Sequence, residues 1–404
     1  MKESNRTLIK IGVLCIAVQD SGLSATTPAL GSIMQYFSQV NPILIQMIAT
    51  IPSLLVAIVP SVYGKLTQFT QKRTLMYIAA FLFVVGGVAP AFINSNIYII
   101  LFLRVIFGLG IGLVTPMAMD LVIDFFEGQV RNTMQGFCTA ATAGSGILFQ
   151  LLGGYFAGIQ WNYCFYAYGL SAIFFIIAFV TIPKSTKKLD STGSAKNTAV
   201  NVKKEKLPGS IFLITAIFCG FFLMIYIGAT NGAAVMLSEG IATPAQIGLA
   251  FSFLTIGLFL TSVLFGPLFK VLKYALHPIA YFISAAGLFV DFVATTFWPY
   301  VLGIFLTGLG CGLIIPTTVT KCTILAPRSR ASMTIGIVFA GMGIGQFCSP
   351  YFFGLIIGEQ GRAPFSVAAI GCIVLGVAIL IVNLIIKAPT IVDPEEGEIV
   401  KNNN

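Results

Sequence analysis

Few residues of this chain can do chemistry, and the first of them is Asp20. It lies in AVQDSGLSATTPAL, residues 17–30, inside an otherwise apolar run. A carboxylate at mid-membrane depth costs about 2.5–3.5 kcal/mol on insertion scales, so it needs a partner, water or a proton. Arg104 is the other intramembrane charge in the first half of the sequence. At 1.5 Å per helical residue, Asp20 stands roughly 18 Å above the face where its segment enters. Arg104, on a segment running the other way, stands roughly 21 Å above the same face of a core about 30 Å thick. Similar depth and opposite sign predict that the two interact. Two roles fit the pair. A carboxyl that alternates between an arginine and a proton links proton movement to a change in its surroundings. A static polar contact that fixes helix packing is the other.

The elements that must position these residues follow from composition. The chain has 404 residues, 57% hydrophobic and only 9% charged, with a mean hydropathy of +0.94. Soluble domains carry about 25% charged residues. Stretches such as 132–183 and 331–358 hold no Asp, Glu, Lys or Arg, and a spanning helix needs about 20 apolar residues. Twelve spans are expected, near 8–30, 42–63, 74–94, 97–119, 131–157, 161–182, 209–231, 244–268, 274–296, 298–320, 331–357 and 364–387. The expected fold is therefore an all-α integral membrane protein, with twelve transmembrane helices in two pseudo-symmetric six-helix bundles. The bundles take residues 1–182 and 209–388, joined by a flexible cytoplasmic linker over 183–208 and followed by a disordered cytoplasmic tail over 389–404.

With the N-terminus in the cytoplasm, 21 of the 23 Lys and Arg fall on the cytoplasmic side, leaving Arg104 inside a helix and Arg362 outside. That is the positive-inside bias. It predicts a multi-pass protein of the cell (inner) membrane with both termini cytoplasmic, and it accounts for the net charge of +9 by apposition to anionic lipid rather than to nucleic acid. The basic N-terminus and its apolar run lack a convincing cleavage site and extend past a signal-peptide core, so an uncleaved first helix is expected.

The two halves repeat. Phe107 to Pro116 reads FGLGIGLVTP, and Thr307 to Pro316 reads TGLGCGLIIP. Arg131-Asn-Thr-Met134 aligns with Arg330-Ala-Ser-Met333, and Gly64 and Leu66 align with Gly266 and Leu268. Three matches in register imply duplication of a six-helix unit, the construction of one large group of secondary transporters. Gly108, Gly110 and Gly112, with Gly308, Gly310 and Gly312, form small-residue faces for close helix packing. Gly341, Gly343 and Gly345 serve either packing or bending of the eleventh helix.

Over essentially its whole length the chain resembles the major facilitator superfamily. The loop GKLTQFTQKR, residues 64–73, looks like the superfamily's G-x-L-x-D-r-x-G-r-R loop, departing at Gln68 and Gln71. ILFLRVIFGLGIG resembles the fourth-helix pattern, with Arg104, Gly108 and Gly110. The fifth helix, with Gly144, Gly146, Gly153 and Gly154, partly resembles that of proton-coupled drug antiporters, although Phe149 and Gln150 stand where those carry Gly-Pro. The resemblance implies a central cavity, with Asp20 and Arg104 facing it and Gln46, Gln150, Tyr226, Asn231, Gln346 and Tyr351 as polar anchors. For each of these six an interhelical hydrogen bond is the alternative. A mostly apolar cavity with few anchors suits amphipathic molecules better than sugars. The resemblance also implies a cytoplasmic latch of Gly64, Lys72, Arg73, Asp120 and Asp124, with Arg73 pairing to Asp120 or Asp124. Glu127 and Arg131 stand four apart and are able to pair, Asp291 is expected at a helix interface, and no role is assigned to His277.

The function expected is secondary active transport of a small organic solute by alternating access, as proton-coupled export of amphipathic compounds. The alternative is proton symport of an organic anion or nutrient, with Arg104 as an anion contact; a non-transporting membrane sensor is more distant. The proton is the expected coupling ion, the lipid bilayer the surroundings and a monomer the working unit. No cofactor or metal is expected. Eight scattered cysteines have no metal-ligand spacing, and GLGIG lies mid-helix with no strand before it, so it is not a phosphate loop. One histidine and no nucleophile motif argue against an enzyme.

Overall fold

The computed structural model describes residues 3–183, 207–327, 330–357 and 361–385. All regular structure among the described residues is helical. Twelve segments are long and apolar enough to cross a bilayer: α1 (Thr7–Tyr36), α2 (Pro42–Phe69), α3 (Lys72–Ala91), α4 (Ile97–Phe125), α5 (Gly128–Ile159), α6 (Trp161–Thr181), α7 (Gly209–Ser238), α8 (Pro244–Leu272), α9 (Leu276–Val293), α10 (Phe297–Leu325), α11 (Met333–Ile356) and α12 (Ala363–Ile385). Residues 184–206 of the expected linker and the expected tail at 389–404 lie outside the described residues.

Helices are the form hydrocarbon permits, because their backbone groups pair within the segment. Their starts are written locally. Asn41 accepts from Ile43 N at 2.8 Å ahead of α2, and Asn96 accepts from Tyr98 N at 2.9 Å ahead of α4. Thr243 and Gln246 form a capping box around Pro244 at the start of α8. Several helices outrun the apolar stretches that announced them. α2 continues to Phe69 and α7 to Ser238, giving 28 and 30 residues. At 1.5 Å per residue these exceed the core of about 30 Å; the extra turns of α2 carry Lys65, Thr67 and Gln68, whereas those of α7 are apolar up to Ser238, with Ala233, Val235 and Met236 buried.

The first span is not one continuous helix. It is α-helical to Val18, 3-10 over Gln19–Ala25 and Thr27–Ala29, then α-helical again over Leu30–Tyr36. The cause is local: Pro28 brings no N–H, and serine and threonine hydroxyls compete for backbone groups. Neighbouring helices take up the freed contacts. Ser21 Oγ donates to Thr142 O at 2.6 Å, Thr142 Oγ1 donates back to Ala17 O at 3.0 Å, and Gln19 Nε2 donates to Ser171 O at 3.1 Å.

Each half uses the same neighbours. α1 packs on α5 and α6, with α2 and α3 on α4; α7 packs on α11 and α12, with α8 and α9 on α10. The paired glycines explain how closely they pack. A methyl group on Gly112 would meet Leu55 O of α2 at 3.1 Å, and one on Gly110 would meet Ala79 O of α3 at 3.0 Å. Gly308 abuts Leu254 and Gly312 abuts Leu258, both on α8, while Gly310 abuts Ala280 O of α9. Gly108 lies against Pro52 and Leu55 of α2.

The halves meet through α5 with α8, α2 with α11, and α1 with α7. The contacts concentrate in the middle and toward the end away from the termini, called here the far end. Gly154 faces Gly248, Gly31 faces Ala233 O, and Gly343 faces Ser53 O and Ala57. Toward the opposite end, where α1 starts and α12 ends, Gly64, Gly136, Gly266 and Gly336 have nothing within 4 Å of an added methyl.

Candidate functional site

The 3-10 turn in α1 presents Asp20 toward α4. Its Oδ1 lies 2.5 Å from Thr115 Oγ1, and Thr115 Oγ1 also lies 3.0 Å from Ile111 O. Arg104 is elsewhere. It is completely buried and donates from Nη1 to Tyr168 Oη at 3.1 Å. Its guanidinium carbon stands 4.8 Å from the rings of Phe107 and Phe165 and 4.9 Å from that of Tyr168, an aromatic cage. Arg104 Nε and Nη2 have no partner. The expected Asp20–Arg104 interaction is therefore not formed. Thr115 and Arg104 are eleven residues apart on one helix, roughly 16 Å of rise. The depth count failed because it set Leu8 and Tyr98 on faces about 30 Å apart, whereas α4 alone runs 29 residues, roughly 43 Å.

Of the six expected polar anchors, three bridge the halves. Tyr226 Oη lies 3.0 Å from Ser53 Oγ, Gln150 Oε1 accepts from Thr255 Oγ1 at 3.1 Å, and Tyr351 Oη donates to Met47 Sδ at 2.9 Å. Gln46 is buried with Oε1 unpartnered. Asn231 donates to Gly361 O at 2.8 Å and lines a far-end cavity of about 550 Å³ between α1, α2 and α7. Tyr226 and Gln346 line another cavity of about 300 Å³, enclosed by α7 to α11 of the second half. Asp291 lines it too and is buried; it stands where α9 packs on Gly303 of α10, a helix interface, with the cavity beside it.

The expected latch is built differently from the reading of the sequence. Lys72 Nζ, not Arg73, reaches Asp120 Oδ2 at 2.8 Å and Asp124 Oδ2 at 2.7 Å, and Tyr63 Oη donates to Asp120 Oδ2 at 3.0 Å. Arg73 donates to Ile182 O at 2.9 Å and Phe179 O at 3.0 Å, carbonyls at and just past the C-terminus of α6. Adjacent residues at a helix start face different neighbours, and a cation suits a helix C-terminus. Gly64 has no neighbour within 4 Å of an added methyl. Arg131 donates to Phe126 O at 2.9 Å and not to Glu127. At the far end, Arg362 binds Glu239 and donates to Phe292 O at 3.0 Å. The bonded Glu239 carboxylate pushes the Arg362 pKa up.

The site is set among twelve spans in two halves packed alike. The profile of the Major Facilitator Superfamily matches residues 12–238 and 216–399. The chain belongs to this superfamily. As a facilitator it is a multi-pass membrane transporter and not an enzyme. It is 25% identical over 169 residues to multidrug resistance protein 3 of Bacillus subtilis, covering 40% of this chain and 30% of the relative's length. It is 23% identical over 325 residues to quinolone resistance protein NorA of Staphylococcus aureus, covering 79% of this chain and 82% of that one. Among solved structures the D-xylose-proton symporter superposes with a TM-score of 0.69 at 14% identity, over 93% of this chain and 96% of that one. At that identity the likeness shows the facilitator fold alone.

Sequence reasoning missed the partners that this facilitator uses: Thr115, Ser53, Thr255 and Met47. A signal existed for Thr115. Within the repeated motif, FGLGIGLVTP against TGLGCGLIIP, Thr115 stands where the second copy has Ile315.

Proposed function

We propose that this facilitator exports small amphipathic organic molecules in exchange for protons, by alternating access of bundles 1–182 and 209–388 acting as a monomer, with Asp20 carrying the proton. The contact between Asp20 and Thr115 carries the reading. A threonine hydroxyl has one proton to give. Its oxygen lies within reach of two acceptors, Asp20 Oδ1 and Ile111 O. Both contacts are met at once when Asp20 is protonated, donates to Thr115 Oγ1, and Thr115 donates to Ile111 O. No cation among the described residues pairs with Asp20, and an intramembrane carboxyl without a counter-ion marks a functional site by default.

With the termini in the cytoplasm, as the positive charges favour, the halves seal on the outer side and part toward the cytoplasm, where a cargo to be exported would enter. The names of the two resistance relatives lean the same way. Uptake of an organic anion held by Arg104 lacks such support, because Arg104 is enclosed by aromatic rings.

The test compares cells expressing the protein, its Asp20→Asn variant, or neither, loaded with fluorescent lipophilic dyes or labelled organic acids, with and without a proton uncoupler. Lower dye accumulation with the native protein alone, abolished by uncoupler and by Asp20→Asn, is the expected result. Equal transport by Asp20→Asn under both conditions would make Asp20 a packing residue. Raised acid uptake would turn the reading to symport.

A further inference from the structure

The cavity of about 300 Å³ in the second half has aromatic and aliphatic walls, among them Phe222, Phe251 and Met342. Four polar residues reach it: Tyr226, Asp291, Thr307 and Gln346. Two of these are occupied, Tyr226 with Ser53 and Thr307 as donor to Gly303 O at 3.1 Å. Asp291 is not. It is 2% exposed, and its Oδ1 has no hydrogen-bond partner. The nearby Arg362 is committed to Glu239 and Phe292 O.

The carboxyl is also closely seated. A methyl group on Gly303 would overlap Asp291 Oδ1 and stand 2.8 Å from its Cγ and 2.7 Å from Gly287 O. Glycine at 303 thus makes room for the carboxyl against α10. An unpaired buried carboxylate is costly; in an apolar chamber it holds a proton or is completed by a cation, and a cation that enters the chamber competes with that proton. Aromatic walls favour a cation of low charge density through their ring faces. A chamber of this size is at the small end of organic-ligand pockets.

We infer that Asp291 is the charge-reading wall of a binding subsite within the second half, taking a quaternary or protonated amine borne on a single aromatic ring. The inference rests on the reading of the chain as a transporter of amphipathic molecules and assigns part of that cargo a positive charge and a place away from Asp20.

Equilibrium binding to the purified full chain tests it. The probes are benzyltrimethylammonium and its neutral carbon isostere neopentylbenzene, which differ only in charge. Asp291→Asn is expected to bind the cation about tenfold more weakly or worse and the neutral probe as the native protein does, which also reports that the variant is folded. Met342→Trp, which fills the chamber and leaves the carboxyl, is expected to bind neither. Equal cation affinity in native and Asp291→Asn, no cation binding by the native protein, or equal loss of both probes in Asp291→Asn would each overturn the proposal. Binding here needs neither a gradient nor a direction. Failure of proton-linked export in cells therefore leaves this outcome untouched, and the two failures are distinguishable.

Discussion

Gly154→Ala should open the far end of the protein. Gly154 of α5 faces α8 across the boundary between halves, and a methyl group there would stand 2.6 Å from Pro244 O, 2.9 Å from Gly248 Cα and 3.0 Å from Gly248 N. These are backbone atoms and cannot swing aside. Restoring ordinary contact beyond 3.4 Å requires the helices to part by about 0.8 Å. Overpacking of this kind costs about 1–3 kcal/mol. The cost falls on the state in which α5 and α8 touch and is absent where they are separated, so the balance moves toward the far-open state by a factor of about 5–150. The assay is electron–electron distance measurement between spin labels at Ser95→Cys and Thr295→Cys, exposed positions on opposite halves at the far end, with the eight native cysteines replaced. A longer-distance population should grow in Gly154→Ala. Gly144→Ala is the control, because a methyl there meets nothing within 4 Å on the same helix. If both variants give the native distance distribution, the glycine contact does not hold the halves together and the reasoning is wrong.

Further substitutions probe the half-buried Lys72 cluster and the buried Arg104. Lys72→Met leaves Asp120 and Asp124 facing each other without the ammonium now 2.8 and 2.7 Å from them, and should cost about 1–3 kcal/mol in thermal unfolding of the detergent-purified protein. Adding Asp120→Asn and Asp124→Asn should recover most of it; no recovery would mean that the lysine acts through packing. Arg104→Met keeps the volume inside the aromatic cage and removes a guanidinium with two unpartnered nitrogens, so it should lower stability by less than about 1.5 kcal/mol. Arg104→Ala, which leaves a void, should cost about 2–5 kcal/mol. If the two variants unfold alike, the charge and not the volume is what the cage requires.

The architecture was legible because bilayer physics leaves few options. Long uncharged stretches, the lysine and arginine bias and the repeated motif of α4 and α10 specify twelve helices in two related halves without any side-chain geometry. The site was less legible, for reasons that are specific. The break in α1 was written in SGLSATTP, yet apolarity averaged over a window hides a 3-10 turn. The partners of Asp20 and Arg104 were misassigned because depth was counted across a core of about 30 Å, and α4 continues past its expected end at 119 to Phe125. Lys72 and Arg73 were exchanged because their order along the chain does not say which neighbour each faces at a helix start. Asp291 was expected only at a helix interface, and that it also lines a cavity follows from which face α9 turns inward. Gly303, which makes its seat, becomes informative only once α9 and α10 are side by side.

The glycine seam between α5 and α8 has a kinetic consequence. Gly154 and Gly248 meet backbone to backbone, so this part of the boundary has no side chains to interlock. Separating interdigitated side chains means releasing and later refixing rotamers, worth up to about 1.5–2 kcal/mol for each long one. A smooth seam carries no such load, and among the described residues one side-chain hydrogen bond along it, Thr255 to Gln150, must break. The surface behaves as a bearing more than as a lock. It sets how readily the halves part, while the question of when they part is left to the charge on the residues within.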